Sequence, residues 1–232
     1  MKTLILGDIH GRKCWKDIIE QENPDFIVFL GDYVSTHDDI SSDTQIENLE
    51  EILCYKEANR DKVILLRGNH DMQHLGYEWA RCSGYEAEVV KYMKANKERF
   101  LGLTQWVLVE DGVIYSHAGV SSVWMENSGI ESVEKINEME PSEIFGFSSA
   151  EPWDFYGTSP TQPCTWIRPH VLAECMYGDY VQVVGHTPNK SIGNKRVEYP
   201  FYDCKNDMWC CDCLPRQYLL IIDGEFTVKD CE

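Results

Sequence analysis

No apolar run in this chain approaches the roughly 18 residues that a membrane-spanning helix needs, which excludes a transmembrane segment of that kind. Internal repeats and low-complexity linkers are also missing, so the 232 residues are expected to form one domain over 1–232. The amino terminus opens directly on the strand-like Thr3-Leu4-Ile5-Leu6, without a signal-peptide core or cleavage site, and a cytoplasmic location is expected. Basic residues are few: 21 Lys and Arg stand against 39 Asp and Glu, a formal net charge of −18. A chain that repels phosphate backbones over most of its surface disfavours broad nucleic-acid or anionic-membrane binding. Most of the excess carboxylate reads as solvated surface. No sequence signal sets the oligomeric state.

The clustered cysteines do not follow the paired C-x2-C pattern that fits tetrahedral zinc loops. Cys204, Cys210, Cys211 and Cys213 follow C-x5-C-C-x-C, so reduced cysteines in a strand-rich tail are expected rather than a structural zinc or a disulfide. Cys14, Cys54, Cys82, Cys164 and Cys175 are scattered among apolar or helical contexts and are expected to be reduced and partly buried.

What the chain does have is a recurrent pattern in which an apolar run ends in ligand chemistry. Leu4-Ile5-Leu6 leads into Gly7-Asp8-Ile9-His10-Gly11, and Phe29-Leu30 into Gly31-Asp32. Leu65-Leu66 leads into Gly68-Asn69-His70-Asp71, Ile114-Tyr115 into His117, and Val183-Val184 into Gly185-His186. In open α/β sheets the ligand crevice lies outside the carboxyl ends of the strands. Trp15, Ile18 and Ile19 mark a short helix over 12–21 stopped at Asn23-Pro24, and Ile46, Leu49, Ile52 and Leu53 mark another, with Ser42-x-x-Gln45 as its capping box. The β-α-β-α-β order predicts parallel strands whose first three ends face one another. Further on, 84–99 reads as a helix, and Asp111-Gly112 and Asp223-Gly224 as the turns of two hairpins, so the second half is expected to be antiparallel in character. The expected fold is α/β: two packed mixed β-sheets flanked by helices, a four-layer αββα sandwich. Residues 126–165 hold a helix over Ser132 to Met139 and a long loop whose Trp153, Phe155 and Tyr156, with Trp166, read as packing.

Asp8, His10, Asp32, Asn69, His117 and His186 form a mixed Asp/His/Asn set without cysteine. Hard oxygen ligands with imidazoles suit manganese, iron or zinc better than calcium. A carboxylate can bridge two cations where an imidazole cannot, and Asp32 lies between the two groups of ligands in chain order. Two bridged cations can bind phosphate oxygens and lower the pKa of an attacking water toward about 7.

In order, these five motifs resemble those of the calcineurin-like metallophosphoesterases, closest to the phosphoprotein phosphatase branch with its bacterial and phage members; the resemblance spans residues 1 to about 190. It implies one metal held by Asp8, His10 and Asp32 and another by Asp32, Asn69, His117 and His186, manganese first, with iron, zinc, nickel or magnesium as alternatives. It also implies hydrolysis of a phosphomonoester by direct attack of metal-bound hydroxide, the substrate being a phosphoprotein or a small phosphoester. Nuclease-like relatives usually carry a second histidine two residues after the last one, where this chain has Pro188. His70 resembles the general acid of the family, since an alkoxide leaves poorly near neutral pH without a proton. Arg168, in Thr-Trp-Ile-Arg-Pro, resembles the arginine that grips the phosphate, a task its planar fork suits. Asn69 stands beside the substrate as well as the metal.

One departure is plain. The branch usually continues its second motif as G-D-x-V-D-R-G, giving an aspartate that orients the catalytic histidine and an arginine for the phosphate; this chain has Ser35, Thr36 and His37. Asp38 or Asp39 is the expected substitute for orienting His70, and Arg168, joined by Arg12 or Arg67, for phosphate binding. His37, His74 and His170 are read as ordinary polar residues. The rival functions are a nucleotide hydrolase acting on a dinucleoside polyphosphate or cyclic nucleotide, a nucleic-acid end phosphatase, and a metal-holding scaffold without catalysis.

Overall fold

A computed structural model describes residues 1–77, 82–148, 156–188, 201–203 and 207–231. From β1 (Lys2–Leu6) the chain passes through α1 (Trp15–Glu22) to β2 (Phe26–Phe29), then through α2 (Ser42–Ala58) to β3 (Val63–Leu65). The three strands pair in parallel, with Leu6 opposite Phe29 and Phe29 opposite Leu65. Their carboxyl ends therefore open on one edge, as the β-α-β-α-β order requires. The α1 helix stops at Asn23, whose φ of 43° is left-handed, just ahead of Pro24. The α2 helix is capped by Ser41, whose hydroxyl accepts from the Thr44 N–H, one residue earlier than the expected box. Gln45 has turned inward instead, accepting from the Ser35 N–H at 2.8 Å and donating to the Ile40 carbonyl at 3.0 Å.

After α3 (Asn69–His74), the single helix expected over 84–99 is two, α4 (Ala87–Ala95) and α5 (Lys97–Leu103). The break falls at Asn96, whose side chain donates to the Tyr92 carbonyl at 3.0 Å and competes with the helical ladder. β4 (Val107–Glu110) and β5 (Val113–Ser116) form the expected hairpin, with Asp111 at φ 50° and Gly112 at φ 78°. Next come α6 (Ser122–Ser128), a 3-10 helix over Val133–Glu138 in place of the expected α-helix, α7 (Pro141–Ser148) and α8 (Pro169–Leu172). β6 (Val181–Val184), β7 (Phe201–Asp203) and β8 (Met208–Cys210) complete a second sheet in the order β4-β5-β6-β8-β7. This sheet corrects the antiparallel expectation: β5, β6 and β8 run parallel, and only the outer pairs β4·β5 and β7·β8 are antiparallel. The reason is the helical crossover between β5 and β6, which the weak periodicity of 126–165 did not announce. β9 (Gln217–Ile222) and β10 (Glu225–Asp230) return to the first sheet, giving the order β10-β9-β1-β2-β3.

Alternation along the strands sorts the core into layers. Leu4, Leu6, Ile27 and Phe29 pack against Trp15, Ile18, Leu49, Ile52 and Leu53 of the outer helices. Ile5, Val28 and Leu30 point the other way, onto Tyr115 and Val183 of the second sheet. The far face of that sheet, with Val184, Met208 and Cys210, is covered by Ile167 and by Leu172 of α8. The architecture is thus the expected one, two mixed sheets face to face with helices outside. Cys210, Cys211 and Cys213 are buried, Cys14, Cys82 and Cys175 are half-buried, Cys164 is buried and Cys54 is exposed. Cys204, Trp153 and Phe155 lie outside the described residues. Among the described residues, no helix is long and apolar enough to cross a membrane.

At Gly7 the end of β1 touches the chain leaving β8. A Cβ on Gly7 would lie 1.9 Å from the Cys211 carbonyl oxygen, so something in the backbone must shift to admit a side chain. Gly7→Ala is expected to cost about 2 kcal/mol or more. The check is chemical denaturation, where the midpoint should fall at constant slope; a stability within about 0.5 kcal/mol of the parent would contradict the contact.

Candidate metal centre

The five motifs meet. Asp8 follows β1, Asp32 follows β2, Asn69 opens α3 after β3, His117 directly follows β5, and His186 follows β6. All except His10 are buried below a tenth of their surface. His10, Asp32 and His186 hold left-handed backbone, with φ of 47°, 51° and 64°, a strain that clusters at functional sites. Gly31, at φ 106°, allows the second motif to approach the third, because a Cβ there would lie 2.7 Å from the Gly68 nitrogen.

Asp71 ties those two motifs together. One of its oxygens accepts from the N–H of Asp32 at 2.9 Å and of Gly68 at 2.8 Å, and the other from the N–H of Tyr33 at 2.9 Å. Asp32 in turn accepts from the His70 N–H at 2.9 Å through Oδ1, which leaves Oδ2 facing His117 Nε2 at 3.4 Å. Ligand atoms of Asp8, His10 and Asp32 all lie within 4.8 Å of one another.

The histidines give the clearest account of what this cluster can hold. His10 Nδ1 is bonded to the Ser35 carbonyl, His117 Nδ1 to the Leu30 carbonyl at 2.8 Å, and His186 Nε2 to the Trp166 carbonyl at 3.2 Å. A carbonyl only accepts, so each of these nitrogens donates, and in the neutral ring the other nitrogen keeps its lone pair. Those second nitrogens all face oxygen. His10 Nε2 lies 3.8 Å from Asp8 Oδ2, and His117 Nε2 and His186 Nδ1 each lie 2.9 Å from Asn69 Oδ1. Lone pairs would crowd lone pairs here unless a proton or a divalent cation stood between them, and a ligating histidine with its far N–H on a backbone carbonyl is the usual support for such a cation. The residues present therefore fit divalent metal.

Electrostatics agree. Burial and the neighbouring Asp212 push the Asp8 carboxyl well above the usual carboxylate range. Burial acts on Asp32 too, but the imidazoles of His117, His70 and His10 outweigh it and hold the carboxyl far below that range. Burial would lower His117, yet Asp32 dominates and pushes the imidazole up to about 10, so a proton occupies the place of positive charge. For His186, burial and Arg168 push the value well down. Burial, reinforced by Asp32, pushes Asp71 up to about 7.

His70 stands beside the cluster, its ring centroid 5.3 Å from that of His10 and edge-on to it. Its Nδ1 meets the Ser35 hydroxyl at 2.7 Å, and that hydroxyl donates to the Gly84 carbonyl at 2.9 Å. This corrects the expectation that Asp38 or Asp39 orients His70: Asp38 is paired with Arg12, whose Nε and Nη2 lie 2.9 Å and 2.7 Å from Oδ2, and Ser35 itself takes the position of the missing aspartate. Burial pushes His70 down to about 4, against the pull of Asp32. Arg168 reaches the site, donating to Thr187 Oγ1 at 3.0 Å and to the His186 carbonyl at 3.4 Å. Arg67 does not serve phosphate. It is buried, donates to Thr104 and Leu101 carbonyls at 2.8 Å, and lies 4.6 Å over the Trp106 ring. His74, also buried, bonds the His70 carbonyl at 2.8 Å and the Glu86 N–H at 3.3 Å, a supporting role. His37 and His170 are exposed, while Trp166 packs 5.6 Å from the His186 ring. Sequence reasoning assigned no role to Ser35, Asp71 or Asp212; for Asp212 the signal was a further apolar run, Met208 to Cys211, ending in a carboxylate.

Two packed sheets with carboxylates, an amide and imidazoles gathered at their carboxyl edge define a class of metal-dependent hydrolase folds. This chain belongs to the calcineurin-like phosphoesterase family, whose sequence profile matches residues 1–211. It is 26% identical over 147 residues to the serine/threonine-protein phosphatase 4 catalytic subunit of Eremothecium gossypii, a match covering 58% of this chain and 44% of that protein. The match thus spans less than half the length of that relative. Among solved structures, it is similar to a cold-active protein-tyrosine phosphatase of a psychrophilic Shewanella species, with TM-score 0.63 and 17% identity over 100% of this chain and 80% of that one. A protein serine/threonine phosphatase from Saccharomyces cerevisiae gives TM-score 0.60 and 11% identity with the same coverage. At these identities the structural likeness establishes the fold.

Asp71→Ala would leave three buried N–H groups without an acceptor, and a loss of about 3 kcal/mol or more is expected. Asp71→Asn, which keeps one acceptor oxygen, should lose clearly less; equal denaturation midpoints for the two variants would contradict the role given to the carboxylate. Because His117, at about 10, carries a proton near neutral pH, cation uptake must displace it, so Mn affinity should climb with pH by up to about tenfold per unit. Calorimetry in buffers of different ionisation enthalpy reads the released proton. A buffer-independent heat with pH-independent affinity would remove His117 from the ligand set.

Proposed function

We propose that this chain is a phosphomonoesterase of the phosphoprotein phosphatase type, with one site in one domain and two divalent cations at that site. Asp8, His10 and Asp32 would hold one cation, and Asp32, Asn69, His117 and His186 the other, with Asp32 as the bridge. The observation that carries this reading is the set of three imidazoles turned toward the oxygens of Asp8, Asp32 and Asn69, each ring anchored from behind by a backbone carbonyl. Manganese is the first choice for oxygen and imidazole donors of this mixture, with iron, zinc, nickel or magnesium as alternatives. When bound, the metals would screen phosphate charge and lower the pKa of the attacking water toward about 7.

The remaining work falls to the chain. Arg168 would clamp two phosphate oxygens with its planar guanidinium, and Asn69 would stand beside the phosphate. His70, turned by Ser35, would hand a proton to the departing alkoxide. The value near 4 for its imidazole is set with no substrate phosphate beside it; a phosphate dianion there would favour the protonated form. The substrate would be a phosphoprotein or a small phosphoester. The phosphatase names of the relatives support that class, and the charge of −18 disfavours nucleic acid. A cytoplasmic setting accords with the thiols of Cys14, Cys54, Cys82, Cys164 and Cys175.

The test is a comparison of Mn-dependent rates on an aryl phosphate, a phosphoserine peptide, a phosphotyrosine peptide, a diadenosine polyphosphate and a 5′-phosphorylated oligonucleotide. Turnover of the aryl phosphate and at least one phosphopeptide is expected; a preference for the dinucleotide or the oligonucleotide would replace this reading with a rival. His70→Ala should lower kcat by about 100-fold or more while metal content holds. Asp32→Asn should lose both metals, and two ions per chain retained in that variant would contradict the bridge.

A further inference from the structure

A sixth strand end reaches the same edge of the molecule. β8 runs parallel to β6, with Cys210 opposite Val184, and the Cys211 N–H donates to the Val184 carbonyl at 2.6 Å. The chain therefore leaves β8 beside the strand that delivers His186. It then passes over the end of β1, where a Cβ on Gly7 would lie 3.3 Å from the Asp212 Cα. Asp212 is only 9% exposed, and its Oδ2 is fully buried without a hydrogen-bond partner. A buried carboxylate oxygen without a partner is costly and calls for one. The charged groups that bear on Asp212 are His10 before all others, then Asp32, His117 and Arg12. Reciprocally, Asp212 exerts the largest charge effect on Asp8. Arg12 is engaged with Asp38 at 2.7 Å, so it does not partner the buried Asp212 oxygen.

We infer that Asp212 is a further carboxylate beside the metal position formed by Asp8, His10 and Asp32, acting on that cation across one water, since its oxygens lie outside the 4.8 Å cluster that those three residues make. The inference rests on reading those three residues as a metal site. It also makes the two positions unequal. Three carboxylates would border the first cation, whereas the second would have only the shared Asp32 among neutral imidazoles and an amide. The first position would then be the tighter one and the more selective for a hard ion such as Mn²⁺ or Mg²⁺.

The full chain, stripped of metal, would be titrated with MnCl₂ and followed by calorimetry and by thermal unfolding, for the parent and for Asp212→Asn and Asp212→Ser. The parent should take up two ions. In both variants one of the two should bind about 10- to 100-fold more weakly, while the metal-free melting temperature stays level or rises because a buried carboxyl oxygen without a partner has gone. Unchanged affinity at both positions in either variant would overturn the inference. So would a metal-free variant that unfolds or melts well below the parent, since the carboxylate would then be supporting the turn after β8. If the parent takes up no Mn²⁺, the metal site itself fails, an outcome distinct from failure of Asp212 alone.

Discussion

The carboxylate of Asp71 is the constraint on which the site depends. It draws in three backbone N–H groups from the ends of the paired strands β2 and β3, at the left-handed turn of Asp32. Once Asp32 is fixed, its two oxygens are committed, one to the His70 N–H and one toward His117. A group in helix α3 thus sets the bearing of a residue on the neighbouring strand end, and through it the spacing between the first sheet and the second. Gly31 and Gly68 permit the approach, since a side chain on either would strike the other motif.

Buried charge is the second theme. Asp8, Asp32, Asp71 and Asp212 are all buried at one edge of the sheets, and burial alone disfavours every one of them in ionised form. The chain meets this in two ways. Asp71 is dispersed over amide donors, whereas Asp8 and Asp32 face imidazoles whose far nitrogens are tied to carbonyls. Such a centre calls for added positive charge, here a proton on His117, so folding and protonation are linked, and metal uptake would be linked to both.

Much of this was legible beforehand because the code is simple: an apolar run, a glycine, then a ligand. Asp8, Asp32, Asn69, His117 and His186 follow it and do converge, and the Asp111-Gly112 and Asp223-Gly224 turns read correctly because positive φ demands such residues. What stayed hidden depends on contacts between distant segments. Ser35 looks like an ordinary loop serine until the 82–86 segment places a carbonyl behind it. Arg67 resembles a phosphate ligand by its position next to the third motif, yet Trp106 and Thr104 claim it. The parallel course of β8 escaped notice because β7 and β8 are each three residues long, too short for periodicity to speak, and with it went the meaning of Asp212. The split of the 84–99 helix at Asn96 turned on one side chain's choice of its own backbone as partner.

Ser35 in place of an acidic residue has a further bearing on the neighbouring imidazole. A hydroxyl offers both a proton and lone pairs, so it can follow the ring through either charge state, which an anion could not do without favouring one of them. The ring is thereby steered by a chain of dipoles that terminates on the Gly84 carbonyl. That carbonyl belongs to a segment held from elsewhere, by Gln73 at Cys82 and by Ser42 and Gln45 at Glu86. Under the role proposed for His70, control over proton delivery would be exported to a surface loop, where mutation could retune it while leaving Asp8, His10, Asp32, Asn69, His117 and His186 untouched.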